Sequence, residues 1–111
     1  MAKKFVPYEG FPEDFAKYVD TVQEVYDTYF AERFPTLNVP KVMVEPRGMR
    51  YKKVITDDGV QRMVHSFVEV ETGLVYKPAS WKAPAKHARG DIRVNNGRDA
   101  LTPQGMVRYL K

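Results

Sequence analysis

Between Pro12 and Phe34 the apolar residues recur in steps of three and four: Phe15, Tyr18, Val19, Val22, Val25, Tyr26, Tyr29, Phe30 and Phe34. That spacing lays them along one stripe of an α-helix. Glu13, Asp14, Asp20, Glu24, Asp27 and Glu32 take positions off the stripe, so the outer face is acidic. Pro12 suits the first turn, where a missing N–H costs nothing, and Glu13 and Asp14 complement the positive end of the helix dipole. Pro35 ends the run, because proline disfavours helical geometry in the residue before it. The stripe is aromatic and contains no leucine, which fits a helix laid across a sheet better than a coiled coil. A homodimer sealed by the same aromatic helix is the alternative.

After the loop from Pro35 to Pro40 the period changes from 3.6 to 2. Lys41–Glu45 reads as a short strand stopped by Pro46-Arg47-Gly48, and Met49–Ile55 as a second. Thr56-Asp57-Asp58-Gly59 is a hairpin turn signal. Val60–Val70 is the longest expected strand, with Val64, Ser66, Val68 and Val70 on one face and Met63, His65 and Phe67 on the other. Glu71-Thr72-Gly73 turns the chain into a fourth strand that starts at Leu74–Lys77. Short strands joined by tight turns make an antiparallel meander, and a helix followed by a meander makes an α+β domain. From Pro78 onward, Pro78, Pro84, Gly90, Asn96-Gly97 and Pro103 interrupt the chain too often for a long regular element. Trp81, Ile92, Val94, Leu101, Met106, Val107, Tyr109 and Leu110 still supply apolar anchors. The expectation is an ordered loop running back over the sheet and ending in a short helix or strand near Gln104–Leu110.

Size and composition are compatible with that picture. A chain of 111 residues with 43% hydrophobic side chains can bury one core, so a single domain over residues 1–111 is expected. The absence of cysteine excludes disulfides, thiolate nucleophiles and thiolate metal sites. No apolar run approaches the ~18 residues of a membrane span, and no signal-peptide core follows Lys3-Lys4, so a soluble cytoplasmic protein is expected.

Charge changes the picture more than composition does. The net charge is +4, but residues 1–38 are acidic overall. Residues 77–111 carry Lys77, Lys82, Lys86, Arg89, Arg93, Arg98, Arg108 and Lys111 against only Asp91 and Asp99. Such asymmetry suits an anionic partner at that end, or a merely solvated basic surface.

Catalytic chemistry has little support. His65 sits in mid-strand, where a structural role is the ordinary one. His87 could be oriented by Asp91 only if that segment were helical, and a nucleophile such as Ser80 would have to be brought to it. No cluster of His, Asp and Glu has metal-ligand spacing, and neither a Walker lysine motif nor Gly-x-Gly-x-x-Gly is present. Arg89-Gly90-Asp91 matches the integrin tripeptide, a three-letter match expected by chance. The expectation is therefore no enzyme, no cofactor and no metal.

The segment Lys77 to Arg93 is the candidate site. Lys77, Lys82, Lys86, His87, Arg89 and Arg93 alternate with small residues and prolines around Trp81. Cations neutralise phosphates and release counterions, giving affinity with little sequence preference. An exposed indole offers a face on which a base can stack. Tyr51, Lys52 and Lys53 in the second strand extend the same surface. Burial of Trp81 as a plug for the open end of the sheet is the competing reading, and the favoured one for that side chain.

The run Ser66-Phe67-Val68, Glu71-Thr72-Gly73-Leu74-Val75-Tyr76-Lys77 and Pro78-Ala79-Ser80-Trp81-Lys82-Ala83-Pro84-Ala85-Lys86-His87-Ala88-Arg89-Gly90-Asp91-Ile92 is similar to a family of small proteins encoded by tailed bacteriophages. The likeness extends from the aromatic helix to the Asn96-Gly97 turn, and its core is Ser-Trp-Lys-Ala-Pro-Ala-Lys-x-Ala-Arg-Gly. Asp91 stands where asparagine is expected. The family carries no activity to transfer. The resemblance implies a phage accessory protein in the infected bacterial cytoplasm. In that setting the residues suggest a small basic nucleic-acid-binding domain. A modulator of a host bacterial protein and a binder of a small anionic ligand such as a nucleotide are the alternatives.

Overall fold

The computed structural model describes residues 4–45 and 47–108. Helix α1 spans Phe11–Arg33, one residue earlier at each end than the sequence pattern indicates. It starts from Gly10, whose φ of 93° is open to glycine at little cost. Among the described residues, five strands follow in one antiparallel sheet: β1 (Lys41–Glu45), β2 (Tyr51–Asp57), β3 (Arg62–Glu69), β4 (Leu74–Pro78) and β5 (Pro84–Asp91). Their spatial order is their sequence order, so the α+β meander is as expected but with a fifth strand.

The fifth strand corrects the expectation of a loop after Pro78. The prolines do not interrupt the ladder, because they sit at its end. Pro78 is the last residue of β4, Pro84 the first of β5, and the two face each other in register. Proline is tolerated at a strand's first residue and on an edge strand, where its missing N–H breaks no internal pairing. Gly90 is a packing residue: a Cβ there would lie 2.5 Å from the Cβ of Ala100. The ladder tolerates shifts on either side of Tyr76, and Ala88 and Gly90 pair with Tyr76 and Val75.

One face of the sheet carries the core. Tyr18, Val22, Val25 and Tyr26 of α1 pack with Val54, Val68 and Val75, and the chain after β5 adds Ile92, Ala100, Leu101 and Val107. A short 3-10 segment, Asn95–Ala100, lies against the helix. Asn95, Asn96 and Gly97 all have positive φ, and a Cβ on Gly97 would meet the Tyr18 ring at 2.5 Å. Beyond it, Leu101 and Val107 form an isolated antiparallel bridge, where a short helix or strand was expected near Gln104–Leu110. The part of that expectation at Tyr109 and Leu110 lies outside the described residues.

β3 also departs from strict alternation. Val54 pairs with Ser66, but Ile55 pairs with Val64, leaving His65 as an extra residue in the ladder. Such a bulge re-aims side chains. It turns His65 towards the helix beside Ser66, not outward with Met63 and Phe67 as the alternation suggested. There its Nε2 meets the Gly105 carbonyl at 2.6 Å and its Nδ1 meets Ser66 Oγ at 2.9 Å. Ser66 Oγ lies 2.8 Å from the Tyr18 hydroxyl. The carbonyl can only accept, so Nε2 carries the proton and the bare Nδ1 accepts from Ser66. Ser66 has then spent its proton and accepts from Tyr18. Burial, opposed only in part by the Gly105 bond, lowers the His65 pKa from 6.5 to about 4.

Two outcomes follow for stability. Gly97→Ala drives a methyl into the Tyr18 ring at a left-handed backbone position, so urea unfolding should show a loss of about 1–3 kcal/mol. For His65 the unfolded chain binds a proton near pH 6.5 and the folded chain near pH 4. Stability is therefore full above pH 6.5 and falls as pH drops towards 4, by on the order of 3 kcal/mol. Unfolding titrations across that range should show the slope, and His65→Gln should flatten its upper part.

Candidate nucleic-acid interface

The sheet face turned away from α1 has its own chemistry. Tyr51, Lys53 and Ile55 of β2 and Phe67 of β3 alternate onto it, and Tyr76 of β4 joins them. Tyr51 packs edge-on against Phe67 and Tyr76, with ring centroids 6.2 and 5.7 Å apart. Phe67 is only 3% exposed although it does not belong to the core under the helix. Neighbouring side chains on its own face cover it. One of them is Lys53, whose ammonium lies 5.7 Å from the Phe67 ring centre and 4.7 Å from that of Trp81.

Trp81 sits at the tip of the β4–β5 turn. Ala79 and Ser80 both donate backbone N–H bonds to the Ala83 carbonyl, and Lys82 N–H donates to Ser80 Oγ. The loop is closed by its own hydrogen bonds, and Pro78 and Pro84 restrict its base. At 47% exposure Trp81 is neither a plug nor a free side chain. The favoured expectation of burial fails because the open end of the sheet is occupied by the loop itself. Across from it, the β1–β2 connection brings up Arg47, Gly48, Met49 and Arg50. Between the two turns lies a groove of about 410 Å³, with Tyr51, Lys53 and Phe67 lining it and Trp81 and Lys82 on one wall.

The groove is cationic. Glu45 and Glu69 are the carboxylates near it, and both are engaged. Arg47 Nε lies 3.3 Å from Glu45, whose pKa that hydrogen bond lowers. Arg50 Nε donates to Glu69, which also accepts from the Thr72 hydroxyl at 2.7 Å. The Arg50 guanidinium stands 5.1 Å from the centre of the Tyr51 ring. Burial, and then the neighbouring Glu69 charge, raise the Tyr76 pKa, so its phenol stays neutral.

The residues proposed from sequence do not form one patch. Trp81 and Lys82 line the groove. Lys86 and His87 are exposed on the edge strand β5. Lys77 lies on the helix-facing side, where its Nζ donates to the Val107 carbonyl at 2.7 Å. Burial, and then the Arg89 charge, push its ammonium below the ordinary lysine range. Arg89 donates to the carbonyls of His87 and Arg108. Arg93 forms a 2.9 Å ion pair with Asp91 and covers the Tyr8 ring. Because β5 is a strand, Asp91 cannot orient His87 as it would on a helix. Of the suggested extension, Tyr51 and Lys53 face the groove, whereas Lys52 points to the other face and donates to the Gly48 carbonyl. Sequence reading missed Arg47, Arg50 and Phe67. The alternation of Tyr51 and Lys53 with Val54 was the signal for an aromatic-basic face.

Among the described residues, no group of three or more His, Asp or Glu side chains converges so as to hold a metal ion, and no helix is long and apolar enough to cross a membrane. The cationic setting of the indole has a measurable consequence. Iodide should quench Trp81 fluorescence more strongly than caesium does, and Lys53→Gln with Lys82→Gln should narrow the difference. Equal quenching by the two ions would contradict this electrostatic description.

No curated protein and no solved structure shows significant similarity to the chain. The model of a family of unknown function, DUF7717, matches residues 13–107, from the first turn of α1 to the bridge at Val107. The match takes in the helix, all five strands and both walls of the groove, and the chain belongs to that family.

Proposed function

We propose that this protein is a small non-enzymatic nucleic-acid-binding domain with little sequence specificity. The observation that carries the reading is the half-exposed Trp81 on a closed loop, flanked by Lys53 and Lys82 at the edge of an aromatic sheet face. Indole and tyrosine faces stack on any base, and lysines meet phosphates as point charges, so this combination favours affinity over base readout. Lys86 adds positive field along the neighbouring edge, where His87 is also exposed. The resemblance to tailed-phage proteins supports an accessory role in the cytoplasm of an infected bacterium.

A second reading is a modulator of a host bacterial protein. Phe34 and Leu37, exposed beyond the end of α1, favour it as an apolar contact. The same end of the helix is where a homodimer contact would form, since Tyr18, Val22, Val25 and Tyr26 are occupied in the core. A mononucleotide or other small anion in the groove is the third reading, and it shares the chemistry of the first.

The test is a salt series of binding to labelled oligonucleotides, followed by fluorescence anisotropy. Lys53→Gln and Lys82→Gln should each weaken binding uniformly across sequences and lower the salt slope by about 1. Arg93→Gln should do so far less, because Asp91 already pairs with that guanidinium. Binding that ignores salt, or slopes unchanged in both lysine variants, would reject the reading.

A further inference from the structure

The groove has a definite size, and the elements around it have definite charges. Together they say which form of nucleic acid can enter. The groove, about 410 Å³ and open to solvent, has room for one base with part of its sugar. A duplex presents its bases stacked and paired inside grooves about 6 to 12 Å wide, which a protein reads by inserting a helix, a strand pair or an arm. The protruding elements here are poorly suited to that. The outer face of α1 carries Glu13, Asp20, Glu24, Asp27 and Glu32, all exposed. The tip of the β2–β3 hairpin carries Asp57 and Asp58. Of these, Glu24 pairs with Arg98 and Asp57 with Arg62, and the others would face phosphates with like charge.

Trp81 adds a stereochemical requirement. Its ring can stack only on a base whose face is free, and a paired base within a duplex has none. The Lys53 ammonium rests over this ring at 4.7 Å. A base stacking on that side displaces the ammonium, which then lies next to the phosphate linked to the same base. The cation therefore exchanges a ring for a phosphate without leaving the site. Lys82, the neighbour of Trp81 in the loop, lines the same wall of the groove.

We propose that the groove is a single-strand site, taking one unpaired base of single-stranded nucleic acid against Trp81 while Lys53 and Lys82 hold the flanking phosphates. This rests on the nucleic-acid reading above and narrows it. Base stacking and phosphate contact are common to DNA and RNA strands, so both share the chemistry this site recognises.

The full chain is titrated with a labelled mixed-sequence DNA strand of about 12 nucleotides, a length within usual site sizes. The same strand annealed to its complement, and the RNA strand of the same sequence, form the other arms. Anisotropy reports binding, and Trp81 emission reports contact. The expected result is at least about tenfold tighter binding of the single strands than of the duplex, with Trp81 quenched. Trp81→Ala, its fold checked by circular dichroism, should lose about tenfold for single strands and leave the weaker duplex binding unchanged. A DNA strand and an RNA strand bound within a few-fold of each other support a site that ignores the sugar, whereas a large preference for either overturns that part. Equal affinity for strand and duplex overturns the single-strand inference and leaves the nucleic-acid reading standing. Single-strand preference without quenching, and indifferent to Trp81→Ala, removes the groove as the site. No binding in any arm rejects both readings.

Discussion

Four polar groups buried between the helix and the sheet govern where the last part of the chain can lie. Tyr18, Ser66, His65 and the Gly105 carbonyl form one chain of hydrogen bonds from α1, through the central strand, to the C-terminal segment. Each group has a single workable donor or acceptor role, so the chain is satisfied in one direction only. A buried polar network of this kind is costly when incomplete, because each unpaired group then pays its desolvation in full. The bulge at His65 is what makes it complete. Without the extra residue, the imidazole would face the other side of the sheet and Gly105 would have no donor from β3.

The groove depends on that anchoring at one remove. Val107 accepts from Lys77, and Arg108 donates its backbone N–H to the Ala100 carbonyl, so the segment held at Gly105 lies alongside β4 and β5. Drawing Lys77 to the helix side leaves its neighbour Tyr76 on the other face, where it meets Tyr51. β4 thus reaches its last residue in a fixed register, and the Pro78–Pro84 pair launches the loop that carries Trp81.

The helix and the first four strands were legible because each depends on a local period. Phe15 to Phe34 keep steps of three and four, and Glu71 to Gly73 marks a turn without reference to distant residues. Of the expected hairpin turn Thr56 to Gly59, Asp58 and Gly59 form it while Thr56 and Asp57 extend β2. What was not legible depended on pairing. β5 was hidden because prolines and glycine are strand breakers in isolation, whereas here Pro84 needs no inward N–H and Gly90 needs room for Ala100. The side on which His65 points was lost for the same reason, since a bulge exists only relative to a partner strand. The candidate site was half legible. Trp81, Lys82, Tyr51 and Lys53 could be named, but the gathering of the other cations by backbone carbonyls and Asp91 could not. Val107 and Arg108 lie 30 and 19 residues from the side chains they hold and are brought close only by the fold, while Asp91 is a near neighbour of Arg93 whose pairing depends on side-chain geometry.

Successive residues of β2 serve different masters. Val54 belongs to the core under the helix, while Tyr51 and Lys53, on the other side of the alternation, belong to the groove. Exchanges at the groove positions leave the packed side intact, whereas a change under the helix reaches the indole through the register of β4. A scaffold divided in this way can vary the aromatic and basic side chains of its outer face by small steps while its folding stays the same. Descendants of one such chain can therefore keep a common shape and still part company in the chemistry of that face.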